Sequence, residues 1–235
     1  PSPGFQRWDE FLTCGANEPR DVVEATGAAV DPSDAGVLFF SSGSTSKPKG
    51  ILSAHRSVSI QMWRFRRLYQ FGPEDEVRCW SANGFFWSGN FAMSLGSTLA
   101  AGGVRVLQPT FVADEALALM DAERVNFPFA WPHQWAQLEG APNWGEVDLS
   151  SMRFVDFKTP VARHPTVSTK WFEPGHAYGN TETFTITTNY PANTPPEVHA
   201  ESSGVPLPGV TLKIVDPLTG AIVDRGERGE ICVKG

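Results

Sequence analysis

Val37-Leu38-Phe39-Phe40-Ser41-Ser42-Gly43-Ser44-Thr45-Ser46-Lys47-Pro48-Lys49-Gly50 is the most informative stretch of the chain. Its four apolar residues, bounded by Asp34 and a Ser/Gly cluster, predict a short strand buried on both faces. Beyond the cluster, Val58, Met62, Phe65 and Tyr69 recur on one face of a helix that Ser53 can cap and Gly72-Pro73 ends. Small residues between a strand and a helix leave backbone N–H groups open, hydroxyls add donors, and Lys47 and Lys49 add positive charge. Those are the parts of a polyphosphate cradle. The loop is not G-x-x-x-x-G-K-[ST], because Pro48 stands where that motif needs glycine and Gly50 where it needs a hydroxyl. A flexible Ser/Gly linker with incidental lysines is the competing reading, and the position between two regular elements weighs against it.

Outward from this loop, Arg78–Ser81, Val104–Leu107, Val125–Ala130 and Met152–Phe157 are strand candidates. Helical patterns lie between them. One runs from Phe91 to Ala101; another places Ala113, Ala116, Leu117 and Met120 on one face, with Asp114 and Glu115 in its first turn and Arg124 in its last. Such alternation predicts an α/β fold with a mostly parallel, helix-covered sheet. Asn189 to Ser203 is rich in Pro, Asn and Thr and marks a crossing. After it Val210, Leu212 and Ile214, then Ile231 and Val233, alternate around the turn Asp216–Gly220, which predicts a smaller antiparallel β subdomain. The expected division is a peripheral segment at 1–35, an α/β subdomain at 36–188 and the start of a β subdomain at 189–235.

Composition removes whole classes of function. With 19 Lys+Arg against 26 Asp+Glu and no basic tract beyond Arg64, Arg66 and Arg67, phosphate-driven nucleic-acid binding is excluded as an expectation. An 11% aromatic content argues against disorder. Cys14, Cys79 and Cys232 are scattered and form neither a CxxC pair nor a metal spacing, so buried reduced thiols and a cytoplasmic location are expected. The N-terminal residues carry no signal-peptide pattern. Cys79 to Val104 is uncharged over 26 residues, yet its five Gly, four Ser and two Asn predict a buried segment and no membrane span.

The decapeptide Ser41–Gly50 resembles the signature loop of the adenylate-forming (AMP-binding) enzymes, which include acyl-CoA synthetases, nonribosomal peptide adenylation domains and luciferases; Ser46 replaces the usual glycine. Tyr178-Gly179-Asn180-Thr181-Glu182 is similar to the YGxTE element of the same superfamily. Gly204–Gly209 and Gly226–Ile231 resemble its scaffold stretches. The order of the matches implies a central piece of the large N-terminal domain of an acyl-CoA synthetase-like enzyme. By that resemblance Ser42, Gly43, Ser44, Thr45, Ser46, Lys47 and Lys49 hold ATP phosphates, with Tyr178, Gly179, Asn180 and Thr181 around the nucleotide. Glu182, with Thr45, would hold Mg²⁺, a hard cation that takes carboxylate and phosphate oxygens. Lys49, Thr181 and Glu182 are the implied catalytic residues.

The implied reaction joins a small carboxylic acid to AMP with release of pyrophosphate, then transfers the acyl group to coenzyme A. A carrier-protein thiol is the alternative acceptor, and a non-enzymatic nucleotide- or acyl-binding pseudoenzyme is the alternative of another class. Phe86 and Trp87 match the place of the family's acid pocket, Trp131 and His133 its second pocket loop. No acidic residue occurs between Glu76 and Asp114, where relatives that activate amino acids carry an aspartate, so an acyl or aryl acid is expected in preference to an α-amino acid. The segment Asp156–Ala162 (DFKTPVA) replaces a Gly-rich family segment, and Lys158 could there pair with a second carboxylate on the substrate. A solvated lysine is its bland reading, and core packing that of Trp87. The family's ribose-binding aspartate and mobile lid domain would follow residue 235, so the polypeptide alone is expected to be inactive or nearly so in adenylation.

Overall fold

The computed structural model describes residues 4–41, 47–173, 175–199 and 202–235. Helices α1 (Trp8–Cys14) and α2 (Arg20–Ala28) bury none of their residues. Strand β1 (Ala35–Ser41) then pairs antiparallel with β2 (Lys49–Ala54), Ser41 facing Lys49 across the ladder. This corrects the expectation of a strand buried on both faces. Phe39 alone is buried, against Phe91 and Phe184, whereas Leu38 and Phe40 on the opposite face are 52% and 68% exposed. The chain forms a second strand after the loop, so helix α3 begins at His55 and runs to Leu68. Ser53 is therefore inside β2 and does not cap it; Ala54 holds that position without a side-chain bond.

Strand β3 (Arg78–Ser81), a π-helical segment (Asn90–Gly96) running into α4 (Ser97–Ala100), and β4 (Val104–Leu107) follow in the expected places. Helix α5 spans Ala113–Ala122 and buries Ala116, Leu117 and Met120. Arg124 lies beyond it and pairs with Asp148 at 2.9 Å. Strand β5 is only Phe127–Pro128, and α6 is Pro132–Glu139. The parallel sheet has the order β4-β3-β5. Alternation along β3 sends Trp80 and Cys79 to opposite faces, as the two-residue period requires. Trp80 packs with Leu117, Met120, Leu138 and Leu149; Cys79 joins Phe65, Tyr69, Phe71, Phe127 and Phe154. A strand buried on both faces explains why Arg78–Ser81 is legible as an uninterrupted short run.

Met152–Phe157 is not a strand. The N–H groups of Arg153 and Phe154 both donate to the Asn126 carbonyl, while that of Phe157 donates to Trp171. Its bonds diverge to two segments, so no ladder propagates. Met152, Phe154 and Val155 are nonetheless buried. Farther on, β6 (Tyr178–Asn180), β7 (Thr185–Asn189), α7 (Pro196–His199) and β8 (Val205–Pro206) give a sheet of order β6-β7-β8, antiparallel throughout. Strands β9 (Thr211–Val215) and β10 (Glu230–Lys234) form the expected antiparallel pair around the Asp216–Gly220 turn. Asp216 fixes that turn by accepting from the N–H groups of Leu218 and Thr219.

Gln61, buried on α3, donates from its side chain to Thr185 Oγ1 and to the Ile186 carbonyl, at 3.1 and 2.7 Å. Arg64, one turn on, donates to Gln61 Oε1 and to the Pro208 carbonyl. These bonds tie the helix after β2 to β7 and to the segment that follows β8. Among the described residues no helix is long and apolar enough to cross a membrane. Of the three cysteines, all free, Cys79 is buried, Cys232 partly buried and Cys14 exposed, so only one matches the expected burial.

Candidate functional site

The strand β2 places Lys49 at the far side of the phosphate loop, directly opposite Ser41. Lys47 and Lys49 are both exposed. Ser42, Gly43, Ser44, Thr45 and Ser46 lie outside the described residues. The loop leads into a strand, not into the helix N-terminus that the sequence pattern predicts, because the ladder with β1 claims the backbone groups of residues 49–54.

The second segment is built around a tight backbone approach. A Cβ on Gly179 would meet the Thr185 carbonyl and the Ile186 Cα, so only glycine lets β6 lie against β7 there. Asn180 then caps a 3₁₀ turn, Thr181–Thr183: its Oδ1 accepts from the Thr183 N–H at 3.0 Å, and Thr183 Oγ1 accepts from the Asn180 N–H at 3.1 Å. The Asn180 side chain is thus committed to the turn. Phe184 and Thr185 follow with φ of 51° and 83°, a left-handed pair that costs free energy for residues with a Cβ. Burial of the Phe184 ring against Phe39 and Phe91 holds the strained pair in place.

That turn projects Glu182, which is exposed, and packs on β2. Both border a cleft of about 540 Å³ whose walls include Ser53, Arg56, Arg64, Glu182, Thr183 and Pro208. Among the described residues the Glu182 carboxylate has no ion-pair partner, and no group of three or more His, Cys, Asp and Glu is assembled. A lone, accessible carboxylate could supply part of the shell of a magnesium ion that keeps waters and phosphate oxygens. Tyr178 is partly buried at the start of the same strand. Arg56 and Arg64 bring cationic groups that motif reading did not single out.

The expected acid-pocket residues have several different surroundings. Phe86 is 86% exposed and joins Phe85, Phe91 and β1 around an apolar hollow. Trp87 pairs with Trp131, ring centroids 4.8 Å apart and planes 34° inclined, and Trp131 keeps 42% of its surface exposed. His133 sits exposed in the first turn of α6. Lys158 is exposed, its Nζ 5.7 and 5.9 Å from the ring centroids of Phe157 and Phe172. Its charge rests on those aromatic faces, which favours the solvated-lysine reading. We expect Lys158→Ala to leave the order of preference among acids unchanged; a selective loss of dicarboxylic substrates in a competition assay would contradict this.

The same segment does turn polar groups inward. Asp156, Thr159 and Glu173 line a hollow of about 380 Å³ with Met93, Ala177 and Asn189. Asp156 accepts from the N–H groups of Lys158 and Glu173, at 2.8 and 3.2 Å. Burial, and next the Asp156 charge, push the Glu173 carboxyl up to about 7. Sequence reading missed Glu173; its one signal is a carboxylate set among Trp171, Phe172 and Pro174.

The AMP-binding enzyme family model matches residues 5–235. The chain belongs to that family. This AMP-binding enzyme is 28% identical over its whole length to indoleacetate–CoA ligase of Aromatoleum aromaticum, covering 45% of that protein. It is 30% identical over 93% of its length to 4-coumarate–CoA ligase 1 of Narcissus pseudonarcissus, covering 42%. The chain therefore spans less than half the length of these curated relatives. Among solved structures, the luciferase-like enzyme of the mealworm Zophobas morio matches 87% of the chain at 26% identity and a TM-score of 0.59, covering 49% of that structure. MatB of Rhodopseudomonas palustris shares the fold, with a TM-score of 0.65 at 22% identity over 87% of this chain and 40% of its own. The α/β architecture of the AMP-binding enzyme is thus that of acyl-CoA synthetase-like proteins, with a parallel sheet, covering helices and antiparallel sheets beside it.

Proposed function

We propose that the full-length protein activates a carboxylic acid with ATP and Mg²⁺ as an acyl-adenylate and passes the acyl group to coenzyme A. The observation that carries this reading is the convergence of two sequence-distant segments, β2 with Lys49 and the turn with Glu182, held together by Gln61 within the fold of the family. Magnesium, when bound, neutralises phosphate oxygens. Glu182 would hold it, with the Thr181 hydroxyl close by, and Tyr178 would offer its ring to the adenine. Lys49 and the hydroxyl-rich loop would hold the departing pyrophosphate, so that charge developing on it meets fixed positive groups. The strained, buried Phe184–Thr185 pair keeps the Glu182 turn from relaxing during this step.

An aryl or apolar acyl acid fits better than an α-amino acid, supported by the uncharged 79–104 segment and by relatives that are named for aromatic acids. Incubating the full-length protein with ATP, Mg²⁺, a panel of aryl, alkyl and α-amino acids and either coenzyme A or a carrier protein, with mass detection of the thioester, tests both points. Aryl-CoA thioester is expected; product on the carrier protein alone, or from α-amino acids alone, would overturn the acceptor or the acid class.

A further inference from the structure

We propose that the hollow walled by Asp156, Thr159 and Glu173 is a subsite for a basic amine on the acid substrate, with Glu173 as the group that selects it. This deepens the acid-activation reading and rests on it. The hollow adjoins the nucleotide segment through Ala177, which precedes Tyr178, and continues into a smaller one of about 110 Å³ lined by Phe127, Phe154 and Trp171. Asp156, Thr159 and Glu173 border both spaces. They therefore line the boundary along which an aromatic acid reaching from the nucleotide side into the inner space would present a ring substituent.

The charges decide what that substituent is. Two carboxyl groups line the hollow and, among the described residues, no cation does: Lys158 is held on the Phe157 and Phe172 rings, and Met93, Ile186 and Asn189 are uncharged. Asp156 spends both oxygens on backbone N–H groups, and the Thr159 hydroxyl donates to the Asp156 carbonyl. Among the described residues the Glu173 carboxyl has neither a hydrogen-bond nor an ion-pair partner. Nearby, the Tyr69 hydroxyl is buried without a partner, its ionisation opposed by burial first and the Glu173 charge second. A carboxyl that burial and Asp156 hold near neutral pH is stabilised as an anion when a cation enters. A second carboxylate on the substrate would meet repulsion instead, the reverse of what a lysine here had suggested.

The test compares 4-(aminomethyl)benzoate with its near-isosteres 4-ethylbenzoate and 4-(carboxymethyl)benzoate in ATP–pyrophosphate exchange by the full-length protein. Expected is a preference of at least about ten-fold in kcat/KM for the amine, rising from pH 6 to pH 8 as Glu173 ionises. Glu173→Gln should bring the ratio of kcat/KM for the amine to that for 4-ethylbenzoate to about one and remove the pH dependence of that ratio. Because Glu173 holds its proton more tightly folded than unfolded, stability falls as pH rises from 4.5 toward about 7. The variant should therefore melt higher than wild type at pH 8 and equally at pH 4, which also shows that it folds. Equal use of the amine and ethyl acids, or a preference that survives Glu173→Gln, overturns the subsite and leaves adenylation standing. No exchange with any acid overturns the activity reading; amine-selective thermal stabilisation by the same three compounds, lost in Glu173→Gln, would then sustain the subsite, and its absence would remove it.

Discussion

Glu182→Gln is expected to lower Mg²⁺-dependent adenylate formation by the full-length protein by about a hundred-fold or more, the usual consequence of removing one group that stabilises charge in a transition state. The substitution keeps the shape of the side chain and the turn. Asn180 and Thr183 cap that turn without Glu182, and Phe184 anchors it from below. The loss should therefore appear in kcat and in the Mg²⁺ concentration needed, with the melting temperature unchanged. Lys49→Met should give a loss of similar size through the departing pyrophosphate. The double variant should lose less than the product of the two, since both act on one charged group. Rates within about three-fold of wild type for Glu182→Gln at saturating and limiting Mg²⁺ would remove this residue from the mechanism.

The largest stability effect is expected at Trp80. It is fully buried in β3 and joins Leu117, Met120, Leu138, Leu149 and Met152 in one core, so truncation to alanine opens a cavity bounded by two helices and a sheet. The cost is about 3–5 kcal/mol. Trp80→Phe should cost less than half as much. The indole Nε1 has no hydrogen-bond partner among the described residues, so its removal forfeits packing area but no bond. Urea unfolding of the full-length protein, followed by near-ultraviolet circular dichroism, separates the two variants. Equal midpoints for Trp80→Ala and wild type would contradict the assignment of this residue to the core.

The features legible in the sequence are those that short-range chemistry determines. Arg78–Ser81 reads as a strand because it is a brief run buried on both faces, and Val104–Leu107 because it is a brief run of strand formers after Gly102-Gly103, although only Val106 in it is buried. The YGNTE segment is legible because Gly179 and Asn180 have fixed local duties, a close backbone approach and a cap. Val37–Phe40 misleads for the same reason that makes it conspicuous: an apolar run shows that a strand exists, not how many of its faces are covered. Met152–Phe157 carries a strand's composition, yet its hydrogen bonds go to Asn126 and Trp171, a choice set by tertiary neighbours. The site divides similarly. Lys49 and Glu182 are motif residues and can be named in advance. Phe86, Trp87, Trp131, His133 and Lys158 are grouped by their place in the chain; side-chain packing brings Trp87 and Trp131 together and gives the others different surroundings. Glu173 shows in the sequence only as a carboxylate among aromatic residues, because its raised carboxyl comes first from burial and next from Asp156, seventeen positions away.

The central claim, that β2 and the Glu182 turn form one adenylating site, is tested most directly by exchange of labelled pyrophosphate into ATP by the full-length protein. Label incorporation that requires both Mg²⁺ and an added carboxylic acid, and that falls at least about a hundred-fold in Glu182→Gln, is the predicted result. Incorporation that needs no acid, or that proceeds at the wild-type rate in Glu182→Gln, would contradict it.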